Sequence, residues 1–230
     1  MTTLAVDIGG TSIKLVVLGE NGKPVSDTKR RETPSPADPE VVLPLIRDMA
    51  GSLPPQQRVS VGFPGVVKDG VAQNAPNLGN ELWRGVSVRD RLTELLERPV
   101  RVLNDADLQG LGVVHGAGVE MVVTLGTGMG TALFTDGRLV PNLELGHHPF
   151  RDGKTYEDLV RDSELKRIGA ERWTARVLDA IAQLEPIFNY DTLHLGGGNT
   201  RHLKADLPDN VRLFSLGEAL AGALALWDAD

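Results

Sequence analysis

No cysteine occurs in the 230 residues, which removes disulfides, thiolate nucleophiles and every cysteine-ligated zinc site together. Nor is there an apolar run near the roughly 18 residues of a membrane span. Met1-Thr2-Thr3 leads straight into strand-like sequence, with no basic, apolar, small-residue leader. These absences predict a cytoplasmic chain with no membrane contact. Positive charge is also scarce: 24 Lys and Arg stand against 31 Asp and Glu, a net charge of −7 that argues against a nucleic-acid partner. The one dense basic run, Lys29-Arg30-Arg31, reads as a solvated strand end. No linker and no low-complexity segment interrupts the chain, and its 41% apolar content suits one large domain or two small lobes.

What is present is a recurring unit of strand, glycine cluster and strand. Leu4 to Ile8 reads as a strand that breaks at Gly9-Gly10-Thr11 and resumes from Ile13 to Leu18, so the glycines sit in a hairpin turn. Such a turn lets backbone N–H groups approach an anion, Thr11 adds a hydroxyl, Lys14 a positive charge, and Asp7 a carboxylate able to hold a metal ion through water. A Gly-Gly hairpin on its own is more often only a turn. The pattern returns at Met121 to Leu125, Gly126-Thr127-Gly128-Met129-Gly130 and Thr131 to Phe134, followed by the hairpin signal Asp136-Gly137. A third cluster, Gly196-Gly197-Gly198-Asn199, ends the strand 191–195.

Between these lie a third strand near 25–31, a helix over 39–49, a strand over 58–63 ending in Gly62-Phe63-Pro64-Gly65, and a long polar loop over 73–80. An amphipathic helix carrying Val88, Leu92, Leu95 and Leu96 follows. Later, Trp173, Val177, Leu178, Ile181, Leu184 and Phe188 stripe one side of a long helix, and the final helix, 217–227, is rich in small residues and suited to close packing. The central stretch is Val100-Arg101-Val102-Leu103-Asn104-Asp105. A short apolar strand there ends in Asn-Asp and opens a helix reaching to about His115, planting a carboxylate at a strand's end. Asp and Asn are preferred helix N-caps, so capping is the alternative role for Asp105.

Three glycine clusters at strand ends, together with Asn104-Asp105, make the chain resemble the ROK family of sugar kinases over essentially its whole length. The resemblance implies an α/β, two-lobed, actin-like ATPase (ribonuclease H-like) fold with a cleft between lobes. The expected lobes are 1–103, joined by the C-terminal helix 217–230, and 104–216. The family pattern implies that Asp7, Gly9, Gly10, Thr11 and Lys14, with Gly126, Thr127 and Gly128, grip the donor phosphates, and that Gly196, Gly197 and Gly198 lie on the nucleoside side. Asp105 matches the catalytic base. Asn104, Asn77 and the backbone at Gly65 match sugar contacts, as do Glu144 and His147 of Glu-x-Gly-His. Many members follow that motif with cysteines that bind zinc. This chain has none, so zinc is expected to be absent, as in the short polyphosphate glucokinase-like members, and Glu157 becomes the candidate second sugar glutamate, with a surface helix start as its alternative role.

The implied function is phosphoryl transfer to the primary hydroxyl of a hexose, glucose first, with mannose, fructose or an N-acetylated sugar as alternatives. Mg2+ with ATP or polyphosphate is the expected donor, and a homodimer the expected assembly. A polyphosphate track would use cations such as Lys166, Arg167, Arg172, Arg176, Arg201 and Lys204. The rival reading is a sugar-sensing regulator. Such proteins carry an N-terminal helix-turn-helix, for which the seven residues up to Asp7 leave no room.

Overall fold

The computed structural model describes residues 1–228; residues 229 and 230, the end of the expected segment 217–230, lie outside the described residues. The chain forms two compact units, one of residues 1–112 with the segment from Gly217 onward, the other of residues 113–216. Among the described residues no helix is long and apolar enough to cross a membrane.

The first unit is built on a five-stranded sheet. Its strands are β1 (Thr3–Ile8), β2 (Ser12–Leu18), β3 (Lys29–Glu32), β4 (Arg58–Phe63) and β5 (Val100–Asn104), in the order β3-β2-β1-β4-β5. β2 runs antiparallel to β1 and β3, whereas β1, β4 and β5 are parallel. Alternation decides the faces. Leu4, Val6, Ile8, Ile13, Leu15 and Val17 point to one side and are buried with Val42, Leu43 and Ile46 of α1 (Pro39–Ala50) and Val88 and Leu92 of α2 (Val88–Leu96). Trp83 completes that core, its indole N–H donating to Ala37 O at 2.8 Å.

On the other face, Ala5, Val16 and Leu18 pack with Ala223 of the last helix, Leu216–Ala225. Its small residues do what their size suggests. A Cβ on Gly222 would collide with Leu108 O, and one on Gly112 with Glu218 O, so only glycine permits this backbone approach. α3 (Asp105–Leu111) therefore stays with the sheet it follows, and the division of the chain falls at 112/113 rather than at 103/104.

The second unit repeats the sheet order. Its strands are β6 (Val119–Leu125), β7 (Met129–Thr135), β8 (Arg138–Val140), β9 (Thr192–Gly196) and β10 (Val211–Leu213), arranged β8-β7-β6-β9-β10. Again the first two pairs are antiparallel and the last two parallel. Met121, Val123, Leu193 and Leu195 bury one face with α4 (Tyr156–Val160), α5 (Asp162–Ile168) and the long α6 (Ala170–Phe188), which contributes Trp173, Val177, Ile181 and Leu184.

Two expected elements are shorter than the pattern suggests. β3 begins at Lys29 instead of Val25 because the Ser26 hydroxyl accepts the Val17 N–H at 3.0 Å, replacing a ladder bond. α3 stops at Leu111, capped by Gly112, whose N–H turns back to Gln109 O at 3.0 Å; beyond it the N–H groups of His115, Gly116 and Ala117 donate to the Glu120 carboxylate.

Candidate active site

In the first unit, β1, β4 and β5 are parallel, so the Gly9–Thr11 turn, the Gly65 turn and Asp105 all lie at the carboxyl edge of one sheet. Asp7 sits on β1, and Lys14, its cross-strand partner on β2, donates from Nζ to Asp7 Oδ2 at 2.8 Å. The glycine turn is closed by Gly9 N donating to Ser12 O at 3.1 Å. Thr33 fastens it from outside, its N–H donating to Thr11 O at 3.1 Å and its hydroxyl to Gly9 O at 2.5 Å. Nothing in the sequence marks Thr33 beyond its place at the end of β3 and before Pro34. Gly10 is where Asn77 approaches: a Cβ there would stand 2.9 Å from Asn77 Cβ, so Asn77 lies against the first glycine turn. The loop carrying it is ordered by asparagine side chains, with Asn74 Oδ1 accepting from Val66 N and Asn80 Oδ1 from Ala75 N, both at 2.8 Å.

Asn104, not Asp105, is the helix cap. Its Oδ1 accepts from Ala106 N at 2.8 Å and Asp107 N at 3.2 Å, while Nδ2 donates to Gly65 O at 3.3 Å. With the side chain 6% exposed, Asn104 both starts α3 and fixes the Gly65 carbonyl. Asp105 follows as the first helical residue, half-buried, its Oδ1 accepting from Ala106 N at 2.8 Å. Gly62 makes room for it: a Cβ at 62 would lie 3.3 Å from Asp105 Cα. The capping role that competed for Asp105 thus belongs to its neighbour.

In the second unit, the turn Gly126-Thr127-Gly128 joins β6 to β7, with Gly126 N donating to Gly128 O at 3.0 Å. The third glycine cluster packs directly on it. Asn199 donates from its backbone to Leu125 O at 3.1 Å and from Nδ2 to Gly126 O at 3.0 Å. Gly197, at φ 91°, presses against the Leu125 backbone where no side chain fits. Gly196 faces the Phe214 ring, and Gly198 faces open space.

Glu157 is not a free-standing residue at a helix start. Its Oε2 accepts from Met129 N at 3.0 Å and lies against Gly128, where a Cβ would collide with it. The Glu-x-Gly-His motif is brought to the same place. Gly146 packs on Met129 O where a Cβ would clash, and Thr131 bonds the segment through Leu143 O and Leu145 N. His147 Nε2 stands 3.5 Å from Glu144 Oε2. Burial pushes the Glu144 carboxyl above its ordinary range; His147 opposes the shift and the nearby charge of Glu157 adds to it. Glu144, His147 and Glu157 therefore form one polar cluster beside the second glycine turn, with two carboxylates close enough to feel each other. Of the cations expected along a polyphosphate track, Arg167 and Arg176 instead converge on Glu164, and Lys166 pairs with Asp162.

Duplicated sheets with glycine turns and a carboxylate at strand ends define the actin-like ATPase fold. The ROK family profile matches residues 3–155, and the chain belongs to that family. The polyphosphate glucokinase of Mycobacterium leprae is 33% identical over 211 residues, covering 87% of this chain and 64% of that protein. For the Mycobacterium tuberculosis polyphosphate glucokinase the identity is also 33%, with 87% and 78% covered. Among solved structures, the inorganic polyphosphate/ATP-glucomannokinase of an Arthrobacter strain superposes with a TM-score of 0.86 at 31% identity, covering 99% of this chain and 98% of that one. A ROK family glucokinase from Streptomyces griseus shares the fold with a TM-score of 0.83 at 21% identity, covering 98% of this chain and 99% of that one.

Proposed function

We propose that the chain is a hexose kinase that transfers a phosphoryl group to the primary hydroxyl of glucose, with ATP, polyphosphate or both as donor. The observation that carries this reading is Asp105: a half-buried carboxylate at the edge of a parallel sheet, beside a glycine turn, and relieved of capping by Asn104. In that position it accepts the hydroxyl proton and orients the oxygen for in-line attack, a role worth roughly 10²–10⁴-fold. The relatives' names point the same way, since those at 31–33% identity that match 87% or more of the chain are polyphosphate glucokinases or a polyphosphate/ATP-glucomannokinase, whereas the N-acetylmannosamine kinases at 32% match 61% of it.

Each hexose hydroxyl both gives and takes a hydrogen bond, so a mixed polar set is required. Asn77, Glu144, His147 and Glu157 supply it, and Asn104 with the Gly65 carbonyl holds Asp105 and its surroundings in place. Backbone N–H groups of Gly9–Thr11 and Gly126–Gly128, with Lys14, take the donor phosphates. Gly196–Gly198, packed on the second turn, is assigned to the nucleoside side. Mg2+ accompanying the donor would supply charge neutralisation, and Asp7 would hold it through water: its carboxylate is part-exposed near the end of β1 and paired with Lys14. The Glu-x-Gly-His segment carries no cysteine and so cannot form the thiolate zinc site found elsewhere in the family.

The test is a paired assay of nucleotide-free protein with glucose and Mg2+, adding ATP to one arm and polyphosphate to the other. Glucose 6-phosphate is expected in at least one arm. A rate with polyphosphate that falls steeply with salt identifies the polyanion as the donor that is used. No product from either donor, with glucose, mannose, fructose and an N-acetylated hexose, would leave a sugar-binding protein without kinase activity.

A further inference from the structure

Apart from every residue assigned above, three metal-ligand side chains of the second unit converge. His115 lies in the loop after α3, Glu120 on β6 and His194 on β9, and one ligand atom from each falls within 4.8 Å of the others. Glu120 and His194 are 2% and 3% exposed, on the sheet face opposite Met121 and Leu193, while the His115 side chain is 61% exposed. His194 Nε2 lies 2.8 Å from Glu120 Oε2, and His115 Nδ1 lies 3.6 Å from the same oxygen.

The carboxylate is prepared as a ligand. Burial pushes the Glu120 carboxyl up, but three backbone N–H groups and His194 outweigh it and hold the carboxyl below its ordinary range. Gly116 N donates to Oε1 at 2.7 Å and His115 N to Oε2 at 2.8 Å, fixing the group as outer-shell donors do in metal sites.

We propose that His115, Glu120 and His194 form a binding site for one divalent transition-metal ion of the zinc type. The donor set decides the class: two imidazoles and one carboxylate suit Zn2+ or Co2+, whereas Mg2+ and Ca2+ prefer all-oxygen shells. The spacing fits as well. Bonds of roughly 2.0–2.2 Å to a tetrahedral ion place ligand atoms about 3.3–3.5 Å apart, and the two observed separations of 2.8 and 3.6 Å bracket that value. The ion takes the place of the proton shared between His194 Nε2 and Glu120 Oε2, and the exposed His115 marks the entry and leaves a fourth position for water. It ties the segment just after the 112/113 boundary to two central strands. No thiolate is involved, so the expectation of no zinc, which rests on absent cysteines, does not reach this cluster. The proposal is independent of the kinase reading.

The test uses the full chain, treated with chelator and titrated with Zn2+ by calorimetry and with Co2+ by visible absorption. One ion per chain is expected, with intense Co2+ bands from low-symmetry coordination. His115→Ala, a change at an exposed side chain, is expected to keep the melting temperature of the metal-free protein, weaken binding about 10-fold or more, and lose those bands. His147→Ala is expected to bind as the parent does. Absence of saturable binding in the parent, equal binding by His115→Ala, or loss of binding in His147→Ala instead, each overturns the assignment.

Discussion

Replacing Asp105 with Asn separates a base from a structural carboxylate, because the surroundings allow the two losses to be sized. Asn keeps an Oδ1 to accept from Ala106 N, and the true cap, Asn104, is untouched. What folding loses is a negative charge in the first turn of α3, about 0.3–1 kcal/mol. What catalysis loses is the proton acceptor, roughly 10²–10⁴ in turnover. At about 1.4 kcal/mol per tenfold, that is roughly 3–5 kcal/mol of transition-state stabilisation, several times the folding term. Steady-state release of glucose 6-phosphate at saturating donor should therefore fall by orders of magnitude, with glucose affinity by calorimetry within several-fold and the melting temperature nearly unchanged. Asn104→Ala, by contrast, should lose about 1 kcal/mol of stability with the cap. Turnover of Asp105→Asn close to the parent's would falsify the base assignment, and a collapse of melting temperature in step with activity would make Asp105 structural.

Three other expectations follow from the second unit. A Cβ at Gly128 meets the Glu157 carboxylate whereas one at Gly126 meets open space, so Gly128→Ala should lower the melting temperature more than Gly126→Ala, and equal effects would contradict the packing. The raised Glu144 carboxyl binds its proton more readily in the folded chain, so its contribution to stability falls as pH rises through the folded value. Glu144→Gln should thus melt higher than the parent at neutral pH, with the gap closing on acidification; a lower melting point at neutral pH counts against the cluster. Glu164, held down to about 2 first by Arg167, against burial, and further by Arg176, stabilises the fold above the ordinary carboxylate range and loses that contribution as pH falls toward the folded value. Glu164→Gln should cost on the order of 1–2 kcal/mol at neutral pH, between the values for exposed and buried pairs. Denaturant curves that stay apart once the pH is below the folded value of about 2 would contradict this linkage.

Much of this architecture is legible before folding because its signals are local. The strand-glycine-strand units around 9–11 and 126–128, the Asp136-Gly137 hairpin and the stripe along α6 each depend on residues a few positions apart, and each element forms where those patterns lie. The same holds for Gly-Gly turns, whose conformational freedom is a property of the residue itself. Motif order along the chain is also what makes Asp105, Glu144 and His147 candidates for the site.

Contacts between distant residues decided the rest. Sequence left Asp105 either a cap or a base; the fold settled the capping by giving it to Asn104 Oδ1, two bonds that no spacing rule assigns to one neighbour over the other. It made Glu157, in the first turn of α4, the acceptor for Met129 N, twenty-eight positions away. It brought Arg167 and Arg176 together on Glu164. It also ended α3 early and set Glu120 beside His194, seventy-four positions away. In each case a buried carboxylate or amide must find donors, and the chain satisfies it with whichever backbone or side chain the packing brings near. That requirement has no period along the sequence, so only the tertiary structure shows which partner meets it.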